Sequence, residues 1–157
     1  MQEGRWQVYL SGEIHTDWRE QIARGTAAKS LPVDFTSAVT VHEDSDDCGV
    51  RILGVETEGF WKDHKGAKVN AIRTRTLLEQ ADLVVVRFGD KYRQWNAAFD
   101  AGFAAALGKP IVTLRDDALT HPMKEVDAAA LAVATTPEQV VSILDYVITG
   151  NLVQQTG

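Results

Sequence analysis

A chain of 157 residues is the size of one domain and can bury a core without disulfide or metal support. Hydrophobic residues at 45% and charged residues at 24% exclude wholesale disorder, and a net charge of -6 with no lysine/arginine cluster excludes a nucleic-acid polymer as partner. The single cysteine, Cys48, has no disulfide partner in the chain, no apolar run reaches the roughly 18 residues of a membrane span, and Arg5-Trp6 opens no signal-peptide core. A cytoplasmic protein with no membrane partner is expected, one domain over residues 1–157.

Residues 6–10 are a short apolar run closed by Ser11-Gly12, as in a buried strand entering a turn. Thr16 or Asp17 caps a helix from Trp18 towards Ser30, which Pro32 stops, and residues 33–41 have the β-branched content of a second strand. From His42 to Lys68 hydrophobic periodicity is lost among acidic residues and four glycines, which predicts a long loop. A helix over 69–80 precedes residues 82–86, a continuous apolar strand of the kind covered on both faces. Residues 89–93 form a loop, 94–107 a helix closed by Gly108-Lys109-Pro110, and 111–114 a buried strand. Residues 123–130 are a short helix and 131–135 the last strand, after which Thr136-Pro137-Glu138 opens a helix to about Ile148. Five strands separated by helices predict an α/β fold, a parallel sheet with helices on both faces.

In an open parallel sheet, ligands bind beyond the carboxyl ends of the strands, where strand order reverses. With the order 2-1-3-4-5 that point lies between the first and third strands. It receives Ser11-Gly12-Glu13-Ile14-His15 and Gly89-Asp90-Lys91-Tyr92-Arg93-Gln94-Trp95-Asn96. Their polar and aromatic side chains suit a small polar ligand with a flat ring, and Trp95, beside Asn96, offers an indole face for stacking. On the helix that follows, Asp100 is the only charge between Trp95 and Leu107. Asn96, Asp100 and Phe103 share a helical face, and Ala97, Ala101 and Gly102 let other backbone approach. A carboxylate so placed needs a hydrogen bond or an ion pair, and a position in the first turns favours its ionised form. Two roles are open to it: nucleophile at a strand-helix junction, or structural anchor of a neighbouring loop.

Tyr9-Leu10-Ser11-Gly12, Ala81-Asp82-Leu83-Val84-Val85-Val86, Asp100-Ala101-Gly102-Phe103-Ala104 and Gly108-Lys109-Pro110 together resemble the nucleoside 2-deoxyribosyltransferase family. Arg73-Thr74, Phe88-Gly89-Asp90-Lys91-Tyr92, Gln94-Trp95-Asn96 and residues 9–18 resemble its YtoQ branch more closely, and the resemblance spans about the whole chain. It implies a flavodoxin-like (Rossmann-like) three-layer sandwich and cleavage of the N-glycosidic bond of a 2-deoxynucleoside or deoxynucleotide. A carboxylate attacks the anomeric carbon, and a second base resolves the covalent glycosyl-enzyme. Asp100 matches the nucleophile position and Tyr9 the tyrosine that orients it. The resemblance further implies a small-molecule nucleoside or nucleotide as partner, no metal or organic cofactor, and a homo-oligomer.

Asp100 is one methylene shorter than the glutamate of the characterised transferases, and two base-handling aspartates of the family fall at Arg73-Thr74 and at Gln94. Asp90 or Glu13 then stands in as proton donor to the leaving base, and Arg73 favours a phosphate or carboxylate on the ligand. These departures keep two alternatives, a non-catalytic nucleotide-binding or sensor module on the same fold and an N-glycoside hydrolase. The candidate site comprises Asp100 and Tyr9 as catalytic residues, with Ser11, Gly12, Glu13, Arg73, Asp90, Trp95 and Asn96 as substrate contacts. The run from His42 to Cys48 lacks the ligand set of a calcium loop or a zinc site and reads as a solvated acidic loop, so no metal is expected. Phe60 and Trp61, in the predicted long loop, either cover the site or pack on the domain edge. Val140, Val141, Ile143, Leu144, Val147 and Ile148 exceed what one helix face needs, which suits a subunit contact or a broad core face.

Overall fold

A computed structural model describes residues 4–91 and 93–152. In chain order these form β1 (Trp6–Gly12), α1 (Trp18–Ala28), β2 (Val33–Ser37), α2 (His42–Leu53), α3 (Gly59–Gln80), β3 (Leu83–Phe88) and α4 (Trp95–Ala106). Then follow β4 (Ile111–Arg115), a 3-10 turn (Asp117–Leu119), α5 (Lys124–Ala129), β5 (Ala132–Ala134) and α6 (Pro137–Thr149). The strands make one five-stranded parallel sheet in the order β2-β1-β3-β4-β5, the expected Rossmann-like arrangement. Ser11 pairs with Val86 and Gly12 with Arg87 across β1 and β3, and Phe88 with Arg115 across β3 and β4. Order reverses between β1 and β3, so their carboxyl ends flank the switch point.

Alternation along the strands sorts side chains to two faces. On one, Val8, Leu10, Leu83, Val85, Val112 and Leu114 pack with Trp18 and Ile22 of α1 and with Val140, Val141 and Leu144 of α6. Each such aliphatic side chain, fully buried, contributes roughly 1.5–3 kcal/mol. The α1–α6 approach is close enough that a β-carbon at Gly25 would lie 2.7 Å from a Val141 methyl. Ile143 and Ile148 also pack against this core, so most of the apolar surplus of α6 is a broad core face, with Val147 left exposed. Thr136 caps α6 by accepting from the Gln139 amide at 3.2 Å, Pro137 starts it, and Gly150 ends it with a left-handed φ of 77°. On the other face of the sheet, α4 lies on β1, β3 and β4 through Ala97, Ala101 and Ala104, whose small side chains keep the helix close.

The structure corrects the reading of residues 42–68, which are not a loop. They hold α2 and the first half of α3, and β2 ends at Ser37 rather than reaching position 41. Glu43 and Asp44 sit in the first turn of α2 and Arg51 in its last, where each complements the helix dipole. Gly54, at φ 102°, ends it. Gly49 and Gly66 are a crossing point: a β-carbon at Gly49 would lie 2.4 Å from the Gly66 amide nitrogen. Residues 37–80 form one compact unit, and the residues up to Thr36 with those from Ala81 onward form the other. Among the described residues, no helix is long and apolar enough to cross a membrane.

Candidate active site

Ser11 is the penultimate residue of β1, 1% exposed, on the sheet face that meets α4. Its hydroxyl donates to Asp100 Oδ2 at 2.6 Å, a short charge-assisted bond between residues 89 apart in the chain. Asp100 is half-buried, and among the described residues its second oxygen, Oδ1, has no hydrogen-bond partner. Burial raises its pKa and the Ser11 hydroxyl pulls the other way, with burial prevailing. This corrects the expectation that the helix would favour the charged form. Asp100 is the sixth residue of α4, past the first turn where unpaired amides act. Tyr9, fully buried, lies two residues before Ser11 on the same face of β1. The hydroxyl that holds Asp100 Oδ2 is that of Ser11, a residue expected from the sequence to be a substrate contact.

The β1–α1 loop is built around two charges. Glu13, 4% exposed, accepts from the amides of His15 and Thr16 (2.7 Å to Thr16) and from the Thr16 hydroxyl at 2.6 Å. Burial pushes its pKa up, but the Thr16 hydroxyl, the two amides and the charge of Arg87 outweigh that and hold it below the ordinary value. So engaged, Glu13 braces its loop. Arg19, which sequence reasoning misses, reaches back to the carbonyls of Glu13 (2.6 Å), Gly12 (3.1 Å) and Leu10 (3.3 Å), its guanidinium 4.4 Å over the Trp18 ring. Its only signal in the sequence is its place beside Trp18 at the helix start. Gly12 has φ 112°, and a β-carbon there would lie 2.1 Å from the Arg87 carbonyl oxygen. Glycine is thus required where the two central strands end.

The β3–α4 loop abuts this one: a β-carbon at Gly89 would lie 2.7 Å from Glu13 Cγ. The Gln94 side chain accepts from the Gly89 amide at 2.7 Å, closing the loop before α4 begins. Asp90 and Asn96 are exposed. Trp95 is 73% exposed and Phe99, one turn on, 64%, so Trp95 presents its ring to solvent instead of packing into the core. Gly102 faces open space, where a β-carbon would meet no atom within 4 Å, so of the three small residues expected to allow a close approach Ala97 and Ala101 serve it and Gly102 does not. Tyr92 lies outside the described residues.

Ser11, Gly12, Glu13, Asp90, Trp95, Asn96 and Asp100 thus come from β1, α4 and the two loops at the switch point. Arg73 belongs to the other compact unit, on α3, where it donates to the Ser37 carbonyl at 2.6 Å. Phe60 and Trp61 are also on α3, in edge and stacked contacts with each other and with His64. Among the described residues no group of three or more His, Cys, Asp or Glu is arranged to hold a metal ion.

Residues 9–148 match the profile of the family described as nucleoside 2-deoxyribosyltransferase YtoQ. The uncharacterized protein YtoQ of Bacillus subtilis (strain 168) is 42% identical over 139 residues, covering 88% of this chain and 94% of that protein. Among solved structures, a 2-deoxyribosyltransferase from Bacillus psychrosaccharolyticus superposes with a TM-score of 0.50 at 17% identity, over 86% of this chain and 90% of that one. A conserved protein from Enterococcus faecalis V583 superposes with a TM-score of 0.58 at 14% identity, over 90% and 98%. At these identities the two structures establish the fold alone, whereas the sequence matches establish kinship: the chain belongs to the YtoQ nucleoside 2-deoxyribosyltransferase family.

Proposed function

We propose that the protein transfers a 2-deoxyribosyl group from a 2-deoxynucleoside or deoxynucleotide to a second base, by double displacement at Asp100. The observation that carries this reading is one carboxylate at the switch point, held through Oδ2 and, among the described residues, bare at Oδ1. Asp100 attacks C1′ as the C–N bond breaks. The departing base keeps the bond's electron pair and takes a proton from water. A nitrogen of the second base then attacks C1′ and gives up a proton as the bond from C1′ to Asp100 breaks. Two displacements retain configuration at the sugar. Burial supports the role, because a carboxylate of raised pKa is the stronger base and nucleophile once ionised. Trp95 offers a flat face beside the reacting helix for either base.

Incubation with a 2-deoxynucleoside and a second free base, followed by chromatography, tests the reading. Exchanged nucleoside is expected from the wild type, and Asp100→Asn lowers the rate by about 10³-fold or more. Unchanged substrate with every common base, in folded protein, removes the reading. One observation favours a second one, a nucleotide-binding module without turnover: at position 94 the side chain is an amide already spent on Gly89, not a base-handling carboxylate. A deoxynucleotide that raises Tm equally in wild type and Asp100→Asn, with no product, selects it.

A further inference from the structure

A carboxylate that attacks a sugar must present one defined oxygen, and aspartate has one torsion fewer than glutamate with which to aim it. We propose that Ser11 is the positioning residue for the reaction: its hydroxyl pins Asp100 Oδ2 to the end of β1 and so designates Oδ1 as the atom that bonds to C1′. The inference rests on the transfer reading above for the identity of the attack, and on geometry for the seat. The bond is 2.6 Å, its donor is 1% exposed, and it ties a helix to the strand at the switch point. Such a seat reduces the freedom of the side chain before substrate arrives, which lowers the ordering cost of the attacking geometry. In the covalent intermediate Oδ2 becomes the ester carbonyl oxygen, and the Ser11 hydroxyl remains able to donate to it. When the second base displaces the carboxylate, the same bond favours its departure as an anion.

Among the described residues no other charge competes for this role. On the strands and α5 of the α4 side the titratable and charged groups are Tyr9 of β1 and Arg115 of β4, with Lys124, Glu125 and Asp127 on α5. In the two loops at the switch point Glu13 is taken by the His15 and Thr16 donors, and Asp90, Lys91 and Arg93 are exposed. Arg115 and Asp127 pair with each other at 2.7 Å, and Lys124 and Glu125 are exposed. Arg87 of β3 falls on the opposite face by alternation. The Asp100 carboxyl answers to burial and to Ser11.

The test compares wild type, Ser11→Ala and Ser11→Thr, with circular dichroism to establish folding. Carbon-detected NMR follows the titration of the Asp100 carboxyl, and exchange kinetics follow turnover. Loss of the hydroxyl is expected to move the Asp100 titration, and the acid limb of the kcat/KM profile, to higher pH. It should lower kcat about tenfold, the range for a hydrogen bond to a charged group, with KM within about twofold. Ser11→Thr, which keeps the hydroxyl, restores both. An Asp100 titration indifferent to Ser11→Ala overturns the proposal whatever the activity, and so does a shifted titration with kcat unchanged. A wild type without exchange whose Asp100 titration still responds to Ser11 sinks the transfer reading while the seat stands.

Discussion

Glu13 and Asp100 are both acids at the carboxyl end of the same sheet, and their surroundings push them in opposite directions. Around Glu13 three donors converge, so the charged form is the favoured one. Around Asp100 there is, among the described residues, one donor, and burial outweighs it, so the charged form is opposed. The first arrangement suits a brace and the second a reactive group. Glu13→Gln is expected to cost about 2 kcal/mol at pH 7, or about 6 °C in Tm, since a charged acceptor is replaced by a neutral one. The loss depends on pH. A carboxyl held below its ordinary 4.5 stabilises the fold above that value and gives the stabilisation up as pH falls through the folded pKa. Thermal melts of wild type and Glu13→Gln should therefore converge below about pH 4.5. A gap that stays constant down to about pH 3 contradicts the assignment of Glu13 as an ionised brace.

The elements that were legible in the sequence are those whose local chemistry is self-sufficient. β3 reads as a strand because it is buried on both faces, and α6 reads as a helix because Thr136 and Pro137 mark its start. α2 and the first half of α3 were not legible. Most of their surface is polar or exposed, and the residues that join them are Gly49 and Gly66, which in isolation signal a break. The site divides in the same way. Asp100 stands out as the sole charge of an alanine-rich helix, but its partner Ser11 is 89 positions away and leaves no periodic trace. The glycine crossing yields a prediction. Gly49→Ala drives a β-carbon to 2.4 Å from the Gly66 backbone and is expected to cost about 3 kcal/mol, whereas Gly66→Ala meets the Asp46 carbonyl at 3.1 Å and costs about 1 kcal/mol. Hydrogen exchange should show the damage confined to residues 37–80, because they form a compact unit of their own, with the β1, β3 and β4 amides still protected. Equal effects of the two substitutions, or loss of protection in the sheet, contradict the crossing as the weak point.

Across the whole molecule, stability against pH is a sum of such local shifts. Asp34 is held below its ordinary value by its hydrogen bond to Arg5, and Asp145 by that to Lys29. With Glu13 they stabilise the fold above the unfolded carboxyl range and lose that contribution on acidification. Asp100 runs against them. Its folded pKa lies above the ordinary 3.8, so it costs nothing below that value, and the cost develops as pH rises through the folded pKa. Asp100→Asn removes the cost and leaves an amide oxygen that still accepts from Ser11. The variant should melt above wild type at about pH 7, with the difference closing as pH falls towards 3.8. The sign separates the two roles open to this residue. A structural anchor replaced by asparagine loses stability at neutral pH, while a carboxylate kept buried for its reactivity gains stability when its charge is removed and loses turnover with it. A Tm for Asp100→Asn below wild type at neutral pH would make Asp100 an anchor and leave the site without its nucleophile.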